Sequence, residues 1–330
     1  MRAIVTGSTG FVGSHLVEDL LLQGFDVTCL LRPSSRPGWV KDLPVNFRTA
    51  SLHNPDELAD VLQGTDYVFH VAGLTRARSK EEYQHANTET TRRLLRTIRD
   101  TNIRLKRFVY VSSLAAAGPT RGTEPLDEAA EARPIEEYGA SKLAAEHFVL
   151  HQADRVPVTV VRPPVVYGRR DRNVLVLFRT AQRFRVLPAI GSVQNRLSMV
   201  HVSDLVRGIR LAAVTPAGAG QVYFMAGGNY RMAEIAEGLG TALRVNVRPF
   251  RIPPGVARLI GEWGELVWSV TRRPQLVSRR KIQHALQPRW TCTWAKARRE
   301  LGYTATVHLV DGLVRTAEWY AEQGWIRRLP

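Results

Sequence analysis

Apolar residues recur along the first half of the chain in two alternating rhythms. Short runs at 2–6, 26–31, 45–49, 67–71, 107–112 and 157–162 are rich in Val, Ile, Leu and Phe, as strands buried on both faces require. Between them, at 11–23, 55–63, 82–101 and 137–153, apolar positions return every three or four residues; Leu16, Val17, Leu20 and Leu21 are one such set. Strands and helices in this alternation predict an α/β fold built on a doubly wound parallel sheet. After residue 162 the rhythm loosens into helices near 173–184, 203–213, 231–241, 254–270 and 308–323, with short strands among them and a Pro/Gly loop at 215–220. The chain therefore divides into residues 1–165, which carry the sheet, and residues 166–330, a smaller mixed α/β region some of whose segments return to the first domain.

The first strand runs directly into Gly7-Ser8-Thr9-Gly10-Phe11-Val12-Gly13 and then into a helix. Gly7 permits a tight turn, Gly10 lets the backbone approach a pyrophosphate, and Gly13 lets helix and strand pack closely. The helix N-terminus, with unsatisfied N–H groups and a positive dipole end, favours the same anion. By composition the glycine spacing arises by chance roughly 0.14 times in a chain of this length. Its place between a strand and a helix is what makes it a dinucleotide signal and the first domain a Rossmann-type candidate.

A second constellation is Tyr138-Gly139-Ala140-Ser141-Lys142, at the head of a helical run through Ala144, Ala145, Phe148 and Val149. Tyr138 and Lys142, four apart, share a helix face. A phenol is a poor base at neutral pH, and a neighbouring ammonium favours the phenolate, which would make the pair a proton carrier. Between the two motifs, the strand Phe108-Val109-Tyr110-Val111 ends in Ser112-Ser113, placing hydroxyls where open parallel sheets bind ligands.

Taken in order, these motifs resemble the extended short-chain dehydrogenase/reductase family, in its NAD(P)-dependent epimerase/dehydratase and 3-beta-hydroxysteroid dehydrogenase/dihydroflavonol reductase-like branch. The resemblance covers nearly the whole chain. Thr6 to Gly13 matches the family's T-G-x-x-G-x-x-G, Asp66 to Gly73 its fourth strand, and Asn87-Thr88-Glu89-Thr90 its N-V-x-G-T segment. Arg162-Pro163-Pro164-Val165-Val166-Tyr167-Gly168 and Val200 to Leu205 match later landmarks. The resemblance implies a Rossmann fold with a C-terminal substrate-binding region, and catalysis by Ser113, Tyr138 and Lys142. It assigns cofactor contacts to Gly7, Gly10, Phe11, Val12, Gly13, Arg32, Leu52, Ala72, Tyr138, Lys142 and Pro163. Asn87 is a positioning candidate outside the catalytic set. A homodimer through the helices near 82–101 and 137–153 is also implied.

Dinucleotide sites that take NAD commonly carry an acid at the end of the second strand. Here the strand ends Leu30-Leu31-Arg32-Pro33-Ser34-Ser35-Arg36, with no carboxylate and with Arg32 available for a 2′-phosphate. NADP(H) is therefore favoured, with NAD(H) as the alternative. The chain departs from the family at Ser51, where an Asp near the adenine is usual, and at Val165, where members acting on nucleotide sugars carry an Asn. Leu197 similarly stands where those members often have Arg, with Arg196 beside it. These features point to hydride transfer between nicotinamide C4 and a carbonyl or secondary alcohol of a rather apolar small-molecule substrate. Tyr138 is expected to pass the proton, Ser113 to hydrogen-bond the substrate oxygen, and Lys142 to favour the phenolate and, as the resemblance implies, to hold the nicotinamide ribose. One alternative is a nucleotide-sugar epimerase or dehydratase with tightly held NAD, which uses the same residues. Another is a non-catalytic NADP-sensing protein, which is expected to lack the tyrosine or the lysine.

Charge adds a second theme. The formal net charge is +16, and residues 272–299 hold nine Arg or Lys and no acid. Such a surface attracts anionic partners, although no motif for specific nucleic-acid recognition accompanies it. An apolar stripe through Val256, Leu259, Ile260, Trp263, Leu266, Val267 and Val270, with Trp268 alongside and Arg272-Arg273 beyond, is either core or an interfacial helix in peripheral contact with an anionic membrane surface. No run of eighteen apolar residues occurs, the first strand starts at residue 2, and Cys29 and Cys292 lack metal-ligand spacing. A cytoplasmic protein without a structural metal is expected.

Overall fold

The computed structural model describes residues 1–101, 105–259, 262 and 279–329. Its apolar runs form β1 (Arg2–Thr6), β2 (Asp26–Leu31), β3 (Asn46–Thr49), β4 (Tyr67–His70), β5 (Arg107–Val111) and β6 (Val158–Arg162). All are parallel and ordered β3-β2-β1-β4-β5-β6. Because the strand order reverses between β1 and β4, a crevice opens at the carboxyl ends of those strands.

Side-chain alternation explains why the strands read as unbroken apolar runs. From β5, Val109 and Val111 join Leu16, Val17, Leu20 and Leu205 in one core, while Phe108 and Tyr110 join Leu58, Leu94, Ile98 and Val149 in another. Helices Phe11–Leu22 and Val202–Val214 contribute to the first core, and Pro55–Leu62, Thr90–Thr101 and Glu137–His151 to the second. Both faces of the central strands are thus covered, whereas the edge strand β3, read from sequence with the apolar runs, is exposed at all four positions.

The helix expected at 82–101 starts earlier and is irregular. Lys80–Tyr83 is α-helical, Gln84–Glu89 is π-helical, and Thr90–Thr101 resumes the α form. The wider turn brings Asn87 and Thr88 into the interior. There the Asn87 carbonyl accepts a hydrogen bond from the Thr91 hydroxyl at 2.6 Å. An inserted residue of this kind leaves little trace in a helical period.

Beyond residue 164 lie β7 (Val165–Tyr167), β8 (Val186–Ile190), β9 (Arg196–His201), β10 (Gln221–Phe224), β11 (Gly228–Arg231), β12 (Arg248–Ile252) and β13 (Arg289–Trp290). β10 pairs with β6 and extends the central sheet to seven strands. β9 gathers β7, β11 and β13 into a small mixed sheet, and β8 pairs with β12. Helices Leu175–Phe184, Met232–Leu243 and Leu309–Glu322 pack around a third core that includes Tyr167, Phe178, Leu239, Leu313 and Tyr320. In the expected 215–220 loop, Pro216–Gly218 forms one 3-10 turn. Of the helix expected at 254–270, residues 254–259 and 262 are helical; the stripe from Ile260 onward, Trp268 and Arg272-Arg273 lie outside the described residues. Among the described residues, no helix is long and apolar enough to cross a membrane, and no His, Cys, Asp and Glu side chains gather as a metal site.

Candidate active site

A cavity of about 1090 Å³ runs along the crevice. Gly7, Gly10, Phe11, Val12, Gly13, Arg32, Leu52, Ala72, Ser113, Tyr138, Lys142 and Pro163 all line it, so the fold brings every sequence-expected site residue to one place.

At one wall the glycine turn forms an anion cradle. Gly7 has φ +70°, and a Cβ on Gly13 would lie 2.1 Å from the Gly7 carbonyl oxygen. Bulk is therefore excluded where helix meets strand. Helix Phe11–Leu22 has no side-chain cap and no acid in its first turn. Helix Pro55–Leu62, by contrast, is capped by Asn54 and carries Asp56 and Glu57. The first helix thus leaves its N–H groups and positive end to an external anion, which fits the pyrophosphate of a nicotinamide dinucleotide. At the end of β2, Arg32 is exposed and lines the cavity with Ser34 and Ser35.

The chemistry-bearing end is a ladder between β5 and helix Glu137–His151. Three consecutive residues at the strand exit each hold one side chain of the helix. The Ser113 hydroxyl lies beside that of Tyr138 and eases its ionisation. The Val111 carbonyl accepts from Lys142 Nζ at 2.7 Å, and the Ser112 hydroxyl donates to Glu146. Tyr138, Lys142 and Glu146 are spaced i, i+4, i+8, so all three rungs fall on one helix face. Gly139 makes the approach feasible, since a Cβ there would lie 2.2 Å from the Ala115 carbonyl oxygen. Ser113 also caps helix Leu114–Ala117, accepting from the Ala115 N–H at 3.1 Å.

Burial sets the charge states here. The Tyr138 hydroxyl is pushed up to about 12 by desolvation, against which the Ser113 hydroxyl works. Lys142 is 3 % exposed and is lowered to about 7 by burial, with the Glu146 carboxylate pulling the other way. Its ammonium stands 4.4 Å over the Tyr110 ring. Lys142 is engaged with Val111 and Tyr110, and the hydroxyl of Ser113 is the group that eases ionisation of Tyr138.

Several partners escape sequence reading. Glu146 is fully buried and accepts from Arg162 Nε at 3.1 Å and from a terminal guanidinium nitrogen at 2.5 Å. Its position four residues after Lys142 is the available sequence signal; its pairing with β6 is not. Asn87 accepts from the Leu74 N–H at 2.7 Å and donates to the Ser141 hydroxyl at 2.9 Å, joining the β4 exit to helix Glu137–His151. Buried His70 links the Thr6 and Thr91 hydroxyls at 2.7 and 2.9 Å, and Thr6 in turn accepts from the Ala72 N–H. His53 and His85 stack 4.6 Å apart and line the cavity beside Ser51 and Leu52. Leu74, Pro164, Val165, Val166 and Val174 give the cavity an apolar wall.

Comparison with known proteins accords with this arrangement. Residues 3–226 match the model of the NAD dependent epimerase/dehydratase family. The chain is 31% identical over 328 residues to a ceramide reductase from Caulobacter vibrioides, covering 98% of this chain and 95% of that protein. It is 32% identical over 327 residues to a 4-hydroxy-2-methyl-3-oxo-4-farnesyl-3,4-dihydroquinoline-1-oxide ketoreductase from Stigmatella aurantiaca, covering 95% of each. The crystal structure of gox2253 superimposes with a TM-score of 0.82 at 25% identity, covering 99% of both chains.

Proposed function

The chain belongs to the NAD-dependent epimerase/dehydratase family, and on that premise we propose that it is an NADPH-dependent reductase converting the ketone of an apolar, lipid-like substrate into a secondary alcohol. The observation that carries this reading is a tyrosine hydroxyl held neutral beside a serine hydroxyl, in a cavity with a wall of Leu74, Val165, Val166 and Val174. NADPH, when bound, supplies the hydride that the carbonyl carbon gains. Tyr138 gives its proton to the substrate oxygen, and Ser113 donates a hydrogen bond to that oxygen. Lys142 is assigned to the nicotinamide ribose. The Tyr138 hydroxyl is protonated at neutral pH and so holds the proton that the substrate oxygen takes up on reduction. Arg32, Ser34 and Ser35, with no carboxylate at the end of β2, support NADPH over NADH. Two relatives of similar identity are named as reductases of a ceramide and of a farnesylated ring, which supports an apolar substrate.

The test begins with nucleotide released from freshly purified, denatured protein, alongside titration of native protein with NADPH and NADH and a panel of apolar ketones. Exchangeable binding that prefers NADPH, with turnover of a ketone, is the expected result. Stoichiometric retained NAD⁺ without ketone turnover would replace this reading with an internally recycling epimerase or dehydratase. Tyr138→Phe is expected to lower turnover about 100- to 10,000-fold with little change in NADPH affinity. Retained turnover would remove Tyr138 from its role.

A further inference from the structure

β8 and β12 form a two-stranded parallel sheet whose two faces differ. Paired positions share a face, so the register sets Val186, Pro188 and Ile190 beside Arg248, Phe250 and Ile252. On the opposite face Leu187 and Ala189 are buried, Leu187 in the core with Leu239 and Leu243. The first face carries Phe250 at 56% exposure, and Phe184, two residues before β8, is 61% exposed. Just past β12, Val256 and Leu259 are 47% and 62% exposed.

Charge brackets this apolar surface. Residues 183–191 and 244–259 contain Arg183, Arg185, Arg244, Arg248, Arg251 and Arg258 and no Asp or Glu, and the exposed Glu262 follows Leu259 by three residues. All six arginines are exposed. Arg248 shares the face of Phe250, Arg183 and Arg185 flank Phe184 in the chain, and the Arg183 guanidinium stands 5.4 Å over the Phe184 ring; Arg251, on the opposite face, donates to the Gly191 carbonyl. A second copy of the chain would bring this cationic surface, on a protein of formal charge +16, against another like it. Protein interfaces also tend to exclude charge from their centres. A nucleic acid would use the arginines but leave Val256 and Leu259 in water. Rings that enter the acyl boundary while guanidinium groups meet phosphates are what an anionic bilayer surface rewards.

We propose that this face docks the protein peripherally on an anionic lipid surface. It shares Val256 and Leu259 with the contact expected from sequence on the 256–270 stripe and adds Phe184 and Phe250, which that expectation did not include. The docking is independent of the reductase reading, since none of these residues lines the catalytic cavity.

The experiment is co-sedimentation of the full chain with vesicles of phosphatidylcholine alone and of phosphatidylcholine with phosphatidylglycerol. Wild type, Phe184→Ser/Phe250→Ser and Arg183→Gln/Arg248→Gln are compared after each has shown a wild-type Tm and NADPH titration. Wild type is expected to bind only the anionic vesicles. The ring variant should bind about tenfold or more weakly, from the lost apolar burial. The arginine variant should lose about fivefold per charge and show less salt dependence. Ring-variant binding equal to wild type would reduce the effect to non-specific charge attraction and overturn the proposal. So would absence of wild-type binding, or lipid-free self-association that the ring substitutions abolish. Turnover of a soluble ketone, unaffected by either variant, separates this result from failure of the reductase reading.

Discussion

Replacing Glu146 by Gln tests whether the buried network behind Lys142 does more than hold the helix in place. Glu146 is 0 % and the Arg162 side chain 7 % exposed, and their pairing uses both carboxylate oxygens. Glutamine keeps the shape but removes the charge, leaving a guanidinium unpaired in the interior. That change typically destabilises by about 3–5 kcal/mol, or on the order of 10 °C in Tm for a chain this large. The second effect is on Lys142. The groups around it are Tyr138 and Glu146 on its own helix, the Tyr110 ring from β5 and His70 from β4. Glu146 is the one that works against the burial holding Lys142 near 7. Without it the lysine should titrate lower still. The ammonium exists below its pKa and is lost as pH rises through it, so the alkaline limb of kcat/KM should move to lower pH. Thermal melts and kcat/KM profiles across neutral pH measure the two effects separately. In Glu146→Gln/Arg162→Met the orphan cation is gone, so Tm should recover while the displaced limb persists. If the double variant regains both, Glu146 is a structural partner of Arg162 and nothing more; an unchanged single variant would refute the reasoning altogether.

Three further outcomes follow from the same structure. Burial lowers His15 and His70 to about 3 and His201 to about 4, so folded histidines stay neutral while unfolded ones take up protons below about 6.5. Their stabilisation is present above that pH and lost as it falls, costing about 2 kcal/mol per histidine at about pH 5; the urea midpoint should drop steeply from pH 7.5 to 5, less so in His70→Gln, and a flat midpoint would contradict the burial argument. Gly13→Ala drives a Cβ to 2.1 Å from the Gly7 carbonyl oxygen, so calorimetric titration should find NADPH binding lost or weakened by more than about tenfold; unchanged affinity would mean the nucleotide does not use this cradle. Arg32→Ala should weaken NADPH by about ten- to hundredfold, the range of a charge-assisted hydrogen bond, and leave NADH untouched; equal losses for both would place Arg32 away from the 2′-phosphate.

By itself the sequence determined what depends on neighbours along the chain. Continuous apolar runs specify strands buried on both faces, a 3.6-residue period specifies the helices that cover them, and Gly7 to Gly13 specifies a turn that only small residues can make. The i, i+4 spacing likewise puts Tyr138 and Lys142 on one helix face before any tertiary contact is known. Tertiary structure decided what depends on solvent exclusion and on distant partners. Lys142 is lowered and Tyr138 raised because both are desolvated against β5, a condition that no local spacing encodes. Glu146 finds Arg162 sixteen residues on only because β6 lies beside β5, and Asn87 reaches Leu74 and Ser141 only because a π turn rotates it inward. The return of β10 to the central sheet and the exposure of Phe184 and Phe250 are likewise settled by which surfaces the finished fold covers. Periodicity records which face of an element is apolar; what that face meets is chosen by the rest of the chain.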